Sequence, residues 1–220
     1  MSSILSKFTI AAISAASISL ALPHSASAFG LVTFDDLPTT PANDGLPIPN
    51  NYAGFNWGTT GYYVSTNTTQ FVPSGYSVAA VSPFNVAFNG FDSPIVIRRS
   101  NGERFNFIGA ALTGVWRNNL NITIEGFVNS ALQTTQTVQV NTTAPLLATF
   151  STFNNIDTLR FSASGGTFAG FAQNGSQFAI DNFNTSAVPE PFTIVGSGVA
   201  IGVGALMRKK QLKKKEKSIG

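Results

Sequence analysis

Residues 104–128, RFNFIGAALTGVWRNNLNITIEGFV, decide the fold. Phe105, Phe107, Ala110 and Leu112 alternate around Asn106, Ile108 and Thr113, and Leu120, Ile122 and Ile124 alternate with Asn121, Thr123 and Glu125. A strand sends successive side chains to opposite faces, so an apolar set with period two marks a chain half-buried in a sheet. A helix would need apolar residues three and four apart between capping residues, and no stretch of 29–187 sustains that pattern.

The same signature recurs outward from this stretch. Leu147, Thr149 and Phe150 lead into Phe153, residues 156–161 alternate, and Phe178, Ile180 and Asn182 alternate with Ala179, Asp181 and Phe183. Strand-like runs fall near 31–35, 53–57, 61–65, 77–81, 84–88, 94–99, 104–113, 120–128, 133–140, 146–151, 157–163 and 177–184, separated by Gly, Asn and Pro. Many short strands at this spacing point to an all-β, antiparallel, jelly-roll-like sandwich. At about 160 residues, segment 29–187 is long enough for one core rather than two. Residues 36–51 carry Pro38, Pro41, Pro47 and Pro49 and read as a loop.

The two ends differ from this domain. Residues 1–28 have the parts of a secretory signal peptide: Lys7, an apolar core from Phe8 to Leu22, a break at Pro23 and the small residues Ala26-Ser27-Ala28 before a cleavage point. Such a segment implies the export machinery and signal peptidase as partners. At the other end, Val188-Pro189-Glu190-Pro191 precedes residues 192–207, which contain no charged side chain. The cations Arg208, Lys209 and Lys210 follow, and the tail to 217 stays basic. Sixteen helical residues reach only about 24 Å, short of a hydrocarbon core of about 30 Å, so a crossing there needs a thinned bilayer or snorkelling flanks. The basic tail is a stop that remains cytoplasmic, which places the domain on the far side of the membrane. A buried terminal helix followed by a solvated charge run is the competing reading.

The order of acid-proline motif (188–191), short Gly-rich apolar span (192–207) and basic terminus (208–217) resembles the PEP-CTERM sorting signal of bacteria that make extracellular polysaccharide. That resemblance covers 188–217 and implies an exosortase-type membrane protease as partner. It further implies an inner-membrane anchor by the C-terminal helix before processing, and a cell-surface or extracellular location afterwards. Thr33-Phe34-Asp35-Asp36-Leu37 and residues 178–183 also resemble segments of secreted PEP-CTERM proteins of cyanobacterial type.

Charge narrows the function. The whole chain is basic, with a formal net charge of +3, but 29–187 holds five arginines and no lysine against eight acidic residues. The basicity belongs to the tail, and the domain offers no electropositive surface for nucleic acid. With no cysteine in the chain and its one histidine, His24, inside the signal peptide, Ser-His-Asp and Cys-His catalysis and ordinary zinc sites have no residues to use. A two-carboxylate hydrolase built on Glu103 and Glu125 is the remaining enzymatic alternative, although nothing in the sequence pairs them.

Two constellations are candidates for binding. Tyr52, Phe55, Trp57, Tyr62 and Tyr63 follow the proline-rich loop. They read either as core and edge packing of a Phe-rich sandwich or as a stacking platform for sugars, whose C–H faces suit aromatic rings. Asp35 and Asp36 close the first strand and Asp181 lies on the last; jelly-roll carbohydrate-binding modules often pair these strands beside a structural calcium. If they are neighbours here, the three carboxylates supply hard oxygen ligands for Ca²⁺, the alternative being caps on turn backbone. The expectation is an exported, surface-sorted, non-enzymatic protein that binds extracellular polysaccharide or forms part of the matrix. The alternatives are a polysaccharide hydrolase and a structural surface protein without a ligand.

Overall fold

The computed structural model describes residues 30–41, 44–67 and 73–188. The expected signal peptide, the 192–207 span, the basic tail and all of the sorting motif after Val188 lie outside the described residues. Among the described residues no helix is long and apolar enough to cross a membrane.

Two antiparallel sheets pack face to face. The seven-stranded sheet runs β10 (Leu146–Thr149), β7 (Phe105–Gly114), β12 (Phe178–Ala187), β5 (Asn85–Asn89), β4 (Gly61–Ser65) and β2 (Leu46–Pro47), with β1 (Leu31–Val32) also paired to β12. The five-stranded sheet runs β3 (Phe55–Asn56), β6 (Ile95–Arg99), β11 (Thr158–Phe168), β8 (Arg117–Val128) and β9 (Ala131–Val140). Residues 104–128 therefore supply one long strand to each sheet, with the chain crossing between them at Val115 and Trp116. Val128 pairs with Ala131 across a two-residue turn, Asn129-Ser130, whose φ values of 50° and 65° match the twist of the flanking strands.

Phenylalanine fills the space between the sheets. Phe107 of β7 stacks on Phe183 of β12 at 5.2 Å and meets Phe161 of β11 edge-on at 5.6 Å, which ties the two inner faces together. Phe161, Phe178 and Phe183 are fully buried, each contributing about 2–3 kcal/mol of apolar transfer. A second, smaller core lies on the outer face of the seven-stranded sheet, where Val64, Val86 and Ala179 are covered by Tyr76, Ala79, Val115 and Trp116. That cover buries both faces of β5 and of the C-terminal half of β7, and the period-two pattern fades there.

Two local expectations are corrected. The run 77–81 is not a strand; Tyr76–Ala79 form one helical turn, α1. Tyr76 and Ala79, three apart, face the second core, and Ser74 Oγ accepts from the Tyr76 N–H at 3.2 Å. The proline-rich loop 36–51 contains β2, where Leu46–Pro47 pairs with Tyr62–Tyr63 at the sheet edge, a place where a proline's missing N–H is tolerated.

Candidate functional site

The terminal strands are neighbours, as the carboxylate reading required: Leu31 lies opposite Asn184 and Val32 opposite Phe183. Along β12, Ala179 and Ile180 pair with β5, whereas Phe183 and Asn184 pair with β1. The register shifts between Asp181 and Asn184, with Asn182 in the left-handed region at φ 49°. The fully buried Asp181 carboxylate serves the backbone at this change of partner. Its Oδ2 accepts from the N–H groups of Val81 at 2.6 Å and Ser82 at 2.8 Å. Its Oδ1 accepts from Ser82 Oγ at 2.8 Å and the Asn182 N–H at 2.6 Å. Asp35 Oδ1 accepts from the N–H groups of Phe84 at 2.9 Å and Asn85 at 3.0 Å. Asp36 Oδ1 accepts from the Tyr52 hydroxyl.

This arrangement does not fit calcium. The ion takes six to eight oxygen ligands, whereas here N–H groups point at both oxygens of Asp181 and at Oδ1 of Asp35. Asp35 Oδ2 alone is left buried without a hydrogen-bond partner. Among the described residues no group of three or more His, Cys, Asp or Glu side chains stands together for a metal. Asp35, Asp36 and Asp181 are caps on the 81–85 segment and on Tyr52. Burial pushes the Asp35 carboxyl up, but the N–H groups of Asn85 and Phe84 outweigh it and hold it below the usual carboxylate range.

The aromatic cluster divides. Phe55 and Trp57 are 1% and 2% exposed, Tyr63 is 3% exposed, and no ring face of these three is open to a sugar. Phe55 packs edge-on to Phe105 at 5.2 Å, and Trp57 edge-on to Phe183 at 5.0 Å with its Nε1 donating to Tyr52 O at 3.4 Å. For these residues the stacking-platform reading is corrected to core packing. Tyr52 is half-buried; burial first, then its bond to Asp36, raises its phenol far above the ordinary value. Tyr62 and Tyr63 are consecutive on β4 and so face opposite ways, which leaves Tyr62 as the half-exposed member on the outer side of the seven-stranded sheet.

Tyr62 does not stand alone. It lies opposite Phe88 of β5 with ring centroids 5.8 Å apart, and the Phe91 ring meets it edge-on at 5.4 Å. Phe88 in turn touches Tyr76 at 5.5 Å, and Tyr76 touches Trp116 at 6.0 Å, so the exposed end of this aromatic row is rooted in the second core. Phe91 is 75% exposed, the most exposed large apolar residue among those described. It sits in a turn, residues 90–92, at φ 57° and ψ 30°, and Asp92 follows at φ 55°. Two consecutive left-handed non-glycine residues cost about 1–2 kcal/mol each and persist only where the surroundings impose them. Here Asp92 Oδ1 accepts from the Ser176 N–H at 2.7 Å. A Cβ on Gly90 would stand 2.6 Å from the Tyr62 ring, so glycine lets the turn lie on that ring. The sequence signal for this site was Asn89-Gly90-Phe91-Asp92, an aromatic inside turn residues, which period-two reading passes over.

A groove of about 150 Å³ lined by Leu31, Ile108, Ala111, Leu147, Asn182 and Asn184 is smaller than the roughly 300–1,000 Å³ of ligand pockets. Glu125 lies on the outer face of β8 and is held by Arg160, 2.6 Å from Nε and 2.5 Å from Nη2, while Glu103 lies in the exposed turn after β6. The two glutamates named for hydrolysis are thus on different features, one of them already neutralised.

No family model matches the chain, and no curated protein matches it. Among solved structures, a DUF4465 family protein from Bacteroides caccae is 11% identical, with a TM-score of 0.49 over 72% of this chain and 98% of that one. One from Bacteroides ovatus is 10% identical, with a TM-score of 0.38 over 70% of this chain and 92% of that one. TmCBM61, solved with β-1,4-galactotriose, is 11% identical, with a TM-score of 0.36 over 64% of this chain and 95% of that one.

Proposed function

We propose that the chain is an exported, non-enzymatic surface protein whose sandwich binds extracellular polysaccharide through Phe91 and Tyr62. The observation that carries this reading is the Phe91 ring, held out to solvent by a turn that pays for two left-handed residues and is braced on Tyr62 and Ser176. The turn fixes the Phe91 ring edge-on against Tyr62 with most of its surface in solvent, and a ring held in this way loses little entropy when a pyranose stacks on it. Glu125 is ion-paired to Arg160 and Glu103 lies in the turn after β6, and this separation speaks against the hydrolase alternative.

Delivery rests on the ends of the sequence. The signal segment takes the chain through the export machinery and is cut by signal peptidase. The 192–207 span then holds it in the inner membrane until an exosortase-type protease cuts near Pro189-Glu190-Pro191 and passes the domain to the surface. Affinity electrophoresis of the exported protein through gels containing the producer's own polysaccharide tests the binding reading. Retardation of the wild type, reduced in Phe91→Ala, is expected; equal mobility with and without the polysaccharide would remove the glycan and leave a structural surface protein.

A further inference from the structure

The five-stranded sheet ends in an unguarded edge. The other strands that end a sheet are short, two residues each in β2 and β3 and four in β10, whereas β9 has ten residues and pairs only with β8. A ten-residue strand presents about 34 Å of edge, along which alternate residues turn N–H and C=O away from their neighbour. Among the described residues none outside β8 makes a backbone hydrogen bond to residues 131–140. The 150–155 loop reaches β9 only through side chains, with Thr134 Oγ1 and Gln136 Nε2 donating to Thr152 Oγ1 at 3.2 and 3.1 Å. Long edges are ordinarily protected by lysine, proline or a bulge. Residues 131–140, ALQTTQTVQV, contain no charge and no proline, and the register shift of this pair falls at its turn end, between Gly126 and Phe127.

The side-chain pattern indicates what fits. Gln133, Thr135, Thr137 and Gln139 are exposed, while Thr134, Gln136 and Val138 are half-buried, with Val138 packed on the core. The exposed row Gln-Thr-Thr-Gln reads the same in both directions about Gln136. An antiparallel copy centred there sets Thr135 opposite Thr137 and Gln133 opposite Gln139. These are the hydroxyl and amide pairings the row already makes inside the sheet, where Thr137 Oγ1 meets Thr123 Oγ1 at 3.1 Å and Gln139 Nε2 donates to Asn121 Oδ1 at 3.4 Å. Two-fold pairing requires a surface complementary to itself, and a neutral palindromic edge meets that condition without like-charge repulsion. We propose that β9 is a self-association edge, on which a second copy of this chain adds its own β9 antiparallel about Gln136, joining two five-stranded sheets into one. For a protein displayed on a surface this edge links neighbouring copies, independently of any glycan.

The chain contains no cysteine, so introduced thiols report without background. Copies of the full chain carrying Thr135→Cys and, on a differently tagged copy, Thr137→Cys are mixed and mildly oxidised. Directly opposed residues of an antiparallel pair lie about 4.5–5.5 Å apart at Cα, inside the range a disulfide spans, whereas a 135–135 or 137–137 pair is offset by two residues. The expected result is a disulfide heterodimer in roughly tenfold excess over either homodimer. Adding Gln136→Lys to both copies, which opposes two ammonium groups at the axis, should abolish it. A statistical mixture of dimers, equal cross-linking by Thr149→Cys on β10, or no dimer at all would overturn the proposal.

Discussion

Replacing Phe91 separately by alanine and by glycine tests whether its turn is strained for exposure. Both variants lose the same contacts. With the ring 75% exposed, the lost burial is worth about 0.5 kcal/mol and the edge contact with Tyr62 about 0.5–1.5 kcal/mol. They differ at the backbone, because alanine keeps a Cβ at φ 57° while glycine occupies that region freely. Relief of the left-handed penalty is worth about 1–2 kcal/mol, offset by about 0.5–1 kcal/mol for the entropy glycine loses on folding. Phe91→Gly should therefore be more stable than Phe91→Ala by about 0.5–1 kcal/mol, a difference of about 1–4 °C in Tm for a domain of this size. Urea unfolding followed by tryptophan fluorescence, with thermal melts alongside, measures it, and polysaccharide retention is read on the same samples. Both variants should bind roughly five- to tenfold more weakly than the wild type, since a lost stacking contact of about 1–1.4 kcal/mol has that effect. An alanine variant as stable as the glycine variant would refute the strain argument.

The remaining predictions concern other parts of the chain. Asp181→Ala, which strips the acceptor from four donors in a buried site, should lower unfolding stability by about 3–5 kcal/mol in urea titration, and millimolar calcium should leave the wild-type Tm unchanged. Because the folded pKa of Asp35 is depressed, its contribution is present above the unfolded value near 3.8 and is lost as pH falls through the lower folded value; Asp35→Asn should flatten the acid limb of a stability-against-pH curve below about pH 4. Trp57→Ala should cost about 3–5 kcal/mol yet leave the glycan affinity of the folded fraction unchanged, because that ring is in the core. Replacing Pro189 and Glu190 together by alanine should leave the protein membrane-bound at its unprocessed size on immunoblots of fractionated producer cells.

Much of the fold could be read from the chain because its strands are long and half-buried. Residues 104–128 alternate cleanly wherever one face meets the Phe core, and the observed β7 and β8 follow that alternation. The reading failed where a second core covers the outer face. Around α1 the sequence Tyr76-Ser77-Val78-Ala79 carries apolar residues adjacent to one another, and only the packing of Tyr76 and Ala79 against Trp116 and Val115 distinguishes a helical turn from a strand. The candidate sites were harder to read. Proximity in sequence grouped Tyr52 to Tyr63 as one platform, but strand parity sends Tyr62 outward and Tyr63 inward, and Trp57 closes the core. Phe91 belongs to the same exposed patch as Tyr62 through the pairing of β4 with β5, a relation that no local pattern announces. The pairing of the terminal strands was anticipated, and it brings Asp35 and Asp181 to the same 81–85 segment, whereas Asp36 turns to Tyr52. The role of Asp35 and Asp181 was decided by where the N–H groups of 81–85 point, which only three-dimensional structure supplies.

The central claim, binding without catalysis, is tested most directly by equilibrium depletion of the exported wild-type protein on the producer's insoluble polysaccharide, with reducing ends assayed in the same supernatants. Saturable depletion with no release of reducing ends is the predicted result. Accumulation of reducing ends would make the protein a hydrolase, and protein that stays wholly in solution would contradict polysaccharide binding.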